Sequence, residues 1–207
     1  IIFPDMPPEI LVIDEWSTPA SQYPLKKVGT ARISRFTYNP GFYRMEGIDG
    51  YMFFQVTMPI QITNLKIGRK VHMVDDPLHW YAMREYVQNA SPGHLLCAGL
   101  GLGLMVWWAL EREDITRLTV VEINPDVIAL VSPLLPKDDR LEIVCADYYE
   151  YRPDSEPDCI LWDLAVGKPE QTKPDFIKGI ALSEVIYPNS KKLFFGMLNK
   201  TGDVFFG

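Results

Sequence analysis

Three glycines in five positions, Gly99, Gly101 and Gly103, close the stretch "HLLCAGLGLGLM" directly behind an apolar run. Glycines there let a chain turn tightly and let a ligand approach the backbone. The spacing is G-x-G-x-G; the third glycine of a dinucleotide fingerprint would fall on Leu104. Three acids end the next three apolar runs: Glu122, Asp147 and Asp163. After the second run a carboxylate can accept both ribose hydroxyls. Asp147 can accept from an exocyclic amine such as adenine's, and Asp163 falls where a reacting group would project. Singly, each has a plainer reading: a bare turn, a surface acid, a helix or turn cap. Together, at successive run ends, they point to a nucleoside ligand.

Those residues need a scaffold that brings run ends to one edge. "HLLCAGL", "RLTVVEI", "RLEIVCAD", "DCILWDLAV" and "KLFFGML" are near-continuous apolar runs, the mark of parallel strands covered on both faces. Helices are expected between them, over "DDPLHWYAMREYVQNA" with Asp76 as cap, from Gly103 to Arg112, over "PDVIALVSPLL" and over "KPDFIKGIALSEVIYPN". "NKTG" is expected to turn into a last segment, "DVFFG". The fold class is therefore α/β, a doubly wound Rossmann-like sheet with its ligand crevice beyond the carboxyl ends of the strands. Residues 1–75 differ, being rich in Pro, Tyr, Phe and Thr. "LVIDEW", "ARISRFTY", "YMFFQVTM" and "IQITNLKI" are expected strands, with turns at Asn39-Pro40-Gly41 and Asp49-Gly50 and a hairpin turning at Gly68. The expected organisation is a small antiparallel β subdomain over 1–75 and an α/β domain over 76–207.

Composition narrows the partners. The 207-residue chain is 47% apolar and carries a formal net charge of −7, so nothing in its bulk draws polyphosphate and nucleic acid is an unfavoured partner. Lys66, Arg69, Lys70 and His72 form a local basic stretch, expected to be the solvated positions of the hairpin. No apolar run reaches membrane-spanning length. Cys97, Cys145 and Cys159 lie within apolar runs without metal-ligand spacing; they are expected to be buried free thiols in a reducing, cytoplasmic setting, with no metal site.

"LLCAGLGLG", "VVEINPDVI", "EIVCADYYEY" and "DCILWDLAV" resemble, in order and spacing, the motifs of the Rossmann-like S-adenosylmethionine-dependent methyltransferases. The resemblance covers about residues 76–198. "LKIGRKVHMVDDPLHWYAMREYV" is similar to the corresponding segment of the spermidine synthase branch. The resemblance implies S-adenosylmethionine, or its decarboxylated form, as ligand. Gly99, Gly101 and Gly103 would face its amino-acid portion and ribose, Glu122 would bind the ribose hydroxyls, and Ile123 would pack on adenine. Asp147 would bind the adenine amine with Tyr148 nearby, and Asp163 would stand by the sulfonium and the acceptor. Asp76, His79 and Tyr81, around the start of the helix after the hairpin, are the acceptor-side candidates.

The chain also departs from that branch. Leu102 and Val166 stand where spermidine synthases carry aspartates, Val71 where they carry a hairpin glutamine, and Trp80 where they carry a tyrosine. Many methyltransferases have an acid at the position of Cys97. A diamine is dicationic near neutrality and needs carboxylate partners and a base, so these losses favour methyl transfer to a small or unidentified acceptor. Aminopropyl transfer with a rearranged acid set is the first alternative, and a non-catalytic binding or assembly protein is the second. Trp107 and Trp108 are expected to serve packing. The aromatic-rich first region makes a homodimer the expected assembly.

Overall fold

The computed structural model describes residues 10–47, 50–166 and 169–195. The expected turn at Asp49-Gly50 lies partly, and the final segment 203–207 wholly, outside the described residues. The first region holds β1 (Leu11–Ile13), β2 (Lys27–Val28), β3 (Ala31–Tyr38), β4 (Gly41–Gly47), β5 (Gly50–Val56), β6 (Ile60–Ile67) and β7 (Lys70–Val74). The second holds α1 (Pro77–Asn89), β8 (Gly93–Ala98), α2 (Leu104–Leu110), β9 (Ile115–Glu122), α3 (Pro125–Val131), β10 (Leu141–Cys145), β11 (Cys159–Trp162), α4 (Pro169–Ile186) and β12 (Lys191–Phe194).

The five strands of the second region form one parallel sheet in the order β10-β9-β8-β11-β12. The chain builds outward from β8 to one edge, then returns to build the other half from β11. The topological switch point thus lies between β8 and β11, where open α/β sheets take their ligands. Side chains alternate across the strands. Leu95, Cys97, Val120 and Leu161 face a core shared with α1, α2 and α3. Leu96, Ala98, Val121 and Ile160 face the opposite core, with Trp162, Phe176 and Tyr187. Among the described residues no helix is long and apolar enough to cross a membrane.

The first region differs from expectation in one pairing. β2-β3-β6-β7 is antiparallel throughout, with the β6–β7 hairpin turning at Gly68. In the second small sheet, β1-β5-β4, the pair β4–β5 is antiparallel but β1 runs parallel to β5. The strand pairing of the first region is therefore mixed, because β1 reaches β5 by a long connection instead of a hairpin. The first region also shares a core with the second: Ala20, Tyr23, Ala31, Ile33 and Leu65 pack in the same cluster as α1 and α2.

A second correction concerns the thiols. Cys97 and Cys159 are buried, but Cys145 is exposed. It ends β10, the edge strand, which only β9 flanks, so an apolar sequence run does not guarantee burial there.

At the amino ends of these strands two arginines hold helix ends and loops together. Arg140 donates to the carbonyls of Leu110 (2.8 Å), Arg112 (2.8 Å) and Ile115 (3.0 Å) and grips Asp138 with Nε and Nη2. Arg112 donates to the carbonyls of Val87 and Ala90 at the end of α1 and pairs in bidentate fashion with Asp114. These satisfy helix-terminal carbonyls that would otherwise lack donors.

Candidate active site

The carboxyl ends of β8 and β11 meet at the switch point. Asp163 N donates to Ala98 O at 3.0 Å, and Gly99 follows with φ of +96°. A Cβ on Gly99 would lie 2.7 Å from Asp163 O, so only glycine permits this approach of the two loops. Gly101, also at positive φ, faces the side chain of Met73 from the β6–β7 hairpin, where a Cβ would collide with the sulfur. Gly103 leads into α2. Gly99 and Gly101 are both set by protein neighbours: the loop is bare because other parts of the chain press on it.

The hairpin lies over this edge. Leu102 N donates to Met73 Sδ at 3.3 Å, and Lys70 Nζ donates to Val166 O at 2.9 Å. His72 is held below its ordinary value by burial and by Lys70, with Glu122 acting the other way, so the hairpin histidine senses the acid at the end of β9. Of the basic stretch, Arg69 and Lys70 are exposed, while Lys66 and His72 are half-buried.

Glu122 is half-buried and ties two loops: Oε2 accepts from Leu100 N at 3.0 Å and Oε1 from Asn124 N at 2.8 Å. Asn124 in turn caps α3 through Asp126 N. Ile123 beside it is 65% exposed, a large apolar side chain left open at a strand end. Asp147 Oδ1 accepts from Tyr149 N at 2.8 Å; among the described residues Oδ2 has no hydrogen-bonding partner. Tyr148 turns into the core beneath α4, its hydroxyl 2.8 Å from Ser183 Oγ.

Asp163 has a different environment. Burial pushes its carboxyl up to about 7, with His79 opposing part of the shift, so it exchanges a proton near neutrality. His79 belongs to the head of α1, where Asp76 Oδ1 caps the helix by accepting from His79 N at 3.0 Å. The same oxygen lies 2.8 Å from His79 Nδ1. The structure thus brings Asp76, His79 and Asp163 into one electrostatic neighbourhood. Tyr81, two residues along, is engaged elsewhere: its ring stands edge-on to Trp16, with the Arg84 guanidinium 5.1 Å from its centroid.

The departures have plain structural places. Leu102 is fully buried and its carbonyl accepts from Tyr23 Oη at 3.1 Å, so this position points to the core. Trp107 Nε1 donates to the same Tyr23 hydroxyl and Trp108 Nε1 to Trp80 O, so both tryptophans are packing residues. Met73 and Tyr38, which bonds Asp76 Oδ2 at 3.5 Å, escaped the sequence reading, and Lys70 was expected only as a solvated hairpin position. Only strand pairing, which places β3 beside β6 and β6 beside β7, could reveal them. No group of three metal-ligating side chains occurs among the described residues.

No protein-family model and no curated protein matches the chain. Solved structures with a similar fold include a spermidine synthase in complex with the transition-state analogue AdoDATO, at 16% identity and TM-score 0.48 over 75% of this chain. The spermidine synthase of Thermotoga maritima matches at 16% identity and TM-score 0.40 over 61% of this chain. A putative methyltransferase complexed with the Haloferax volcanii Trm112 activator matches at 15% identity and TM-score 0.36 over 41%. The chain spans 65%, 57% and 38% of their respective lengths. These likenesses are partial and concern the fold.

Proposed function

We propose that the chain is a transferase that uses an S-adenosylmethionine-type sulfonium donor, and that it transfers a methyl group to a small acceptor. One observation carries the reading: four adjacent strand ends, on β8, β9, β10 and β11, present the glycine loop, Glu122, Asp147 and Asp163 along one edge at the switch point.

The side chains suit an adenosyl ligand. A carboxylate offers about four acceptor sites, so Glu122, which accepts two backbone N–H groups, keeps capacity for ribose hydroxyls. Ile123 offers an open apolar face to a flat ring, and Asp147 Oδ2 offers an acceptor to an exocyclic amine. The sulfonium supplies an already activated leaving group. The protein's tasks are then to align the acceptor, exclude water and hold protons. Asp163, titrating near neutrality, is suited to both charge balance beside a cation and proton exchange. A homodimer in the cytoplasm acting on a small molecule belongs to the same proposal.

Methyl transfer is preferred over aminopropyl transfer because the Leu102 side chain is buried in the core, where it offers a diamine nothing, and Val166 supplies no acid. A second reading, a binding protein that retains the fold without catalysis, is favoured by a specific observation: Glu122 and Asp147 both already serve protein N–H groups.

Calorimetric titration with S-adenosylmethionine, its decarboxylated form and S-adenosylhomocysteine, with NAD as control, separates these readings. Micromolar binding of the carboxylated ligands supports the methyltransferase. Selective binding of the decarboxylated donor supports aminopropyl transfer, and silence from all three leaves the non-catalytic reading. Asp147→Ala should weaken binding by about tenfold, the loss of one charge-assisted hydrogen bond, with the fold intact. Unchanged affinity in that variant would remove Asp147 from the site.

A further inference from the structure

Two titratable side chains are locked together at the head of α1, and neither is needed for the nucleoside contacts. Asp76 Oδ1 accepts from His79 N at 3.0 Å and lies 2.8 Å from His79 Nδ1. A carboxylate only accepts, so Nδ1 carries the hydrogen and Nε2 keeps its lone pair. The Asp76 side chain is 2% exposed and that of His79 30%, so the acid is sealed behind the ring while the ring is half-buried and keeps part of its surface exposed. Tyr38 Oη braces the far oxygen of Asp76 at 3.5 Å. Among the described residues no protein group hydrogen-bonds Nε2.

The position of the ring follows from β12. His79 lies against Phe195, with ring centroids 6.0 Å apart, and Phe195 N donates at 2.8 Å to Trp162 O, immediately before Asp163. The ring thus packs on the residue that follows β12 and is bonded beside Asp163, and the charges of His79 and Asp163 act on one another. Three residues beyond Asp163 stands Val166, which has no proton-accepting side chain and whose carbonyl accepts from Lys70 Nζ.

We infer that His79, oriented by Asp76, is the base that takes the acceptor's proton in the transfer proposed above, and the inference rests on that proposal. The step balances. The acceptor's lone pair forms the bond to the transferred carbon, and the carbon–sulfur bond breaks with its electron pair on sulfur. The acceptor's proton moves to Nε2, and Asp76 balances the imidazolium until water removes the proton. Asp76, Asp163 and Asp75 are the charges that act on the ring. Burial pulls His79 down, but the charge and hydrogen bond of Asp76 outweigh it, so the net shift is upward. His72 and His94 are both shifted downward, chiefly by burial.

The test is nitrogen-15 NMR of the full chain labelled at its three histidines, with S-adenosylhomocysteine as the probe and His79→Gln as the assignment control. His79 should show the Nδ1–H tautomer and titrate above 6.5, apart from the other two. In Asp76→Asn, which keeps a helix-capping side chain, the midpoint should fall to 6.5 or below. Asp76→Ser provides a second capping variant should Asn fail to fold. Saturating S-adenosylhomocysteine, with binding established by calorimetry, should shift the Nε2 resonance. Binding that leaves Nε2 unmoved, or a midpoint at or below 6.5 in the parent protein, overturns the inference and leaves the donor proposal standing. Failure of S-adenosylhomocysteine, S-adenosylmethionine and its decarboxylated form alike to bind overturns both.

Discussion

The two edges of the parallel sheet treat the same residue type in opposite ways. At the amino edge Asp114 and Asp138 are each gripped by an arginine through two oxygens, and Asp158 accepts from His94 N at 2.7 Å. Hydrogen bonds from Arg140 hold Asp138 down at about 2, and Arg112 lowers Asp114 in the same manner. At the carboxyl edge Asp163 faces no arginine, and burial carries it up to about 7. The amino edge spends its acids on closing helix ends; the carboxyl edge keeps one poised at a cost in stability. Arginine-paired acids and an acid raised by burial thus stand at opposite ends of the same strands.

The largest test of that division is to force an acid where the carboxyl edge has none. Leu102→Asp would restore the carboxylate of the spermidine synthase pattern but bury it in a core position. The cavity and the unpaired charge should together cost at least about 3 kcal/mol in chemical denaturation. A variant of parental stability would mean that the Leu102 position can turn to the crevice. At the amino edge, Arg140→Ala removes donors from three carbonyls and the partner of Asp138. A loss of about 2 kcal/mol is expected, with affinity for S-adenosylhomocysteine unchanged. Altered affinity would show that the edges are coupled.

Asp163→Asn should act in the opposite direction. An acid whose folded pKa stands above its unfolded one destabilises the fold increasingly as pH rises from about 4 to 7. The variant should therefore gain roughly 1 to 2 kcal/mol at pH 8, allowing for solvent reaching a half-buried carboxylate, and nothing below pH 4. Urea midpoints across that range measure it, and a stability difference independent of pH would refute it. The smallest stability effect belongs to Ile123→Ala, within about 0.5 kcal/mol because the side chain is exposed. Adenosyl-ligand affinity should nevertheless fall severalfold; equal affinities would deny Ile123 any role as a platform.

Continuous apolar runs made the parallel strands legible in the sequence, and the acids fell at their ends because strands stop where polar residues begin. Asp76 was legible as a cap, by its place before Pro77. What could not be read was long-range. Gly101 is required by Met73, 28 positions earlier in a hairpin whose docking no local pattern encodes. The parallel pairing of β1 with β5 and the exposure of Cys145 depend on which strands lie at edges, a property of the assembled sheet. The double use of Asp76 Oδ1 was hidden for another reason: spacing shows that His79 can reach the cap, but not which rotamer the ring takes.

The clasp between hairpin and sheet edge has a consequence in time. Lys70 and its carbonyl on Val166 are separated by 96 positions, Thr30 and Asp126 by 96, and Tyr23 and Leu102 by 79. Loop-closure entropy rises only about 0.6 kcal/mol per doubling of length, so such contacts are cheap at equilibrium. They are slow to reach, because both ends must already be in place before either is rewarded. On a chain made from its amino end, the hairpin must wait for 96 more residues before its lysine finds that carbonyl. That clasp is thus closed only after β11, which ends at Trp162, has been made.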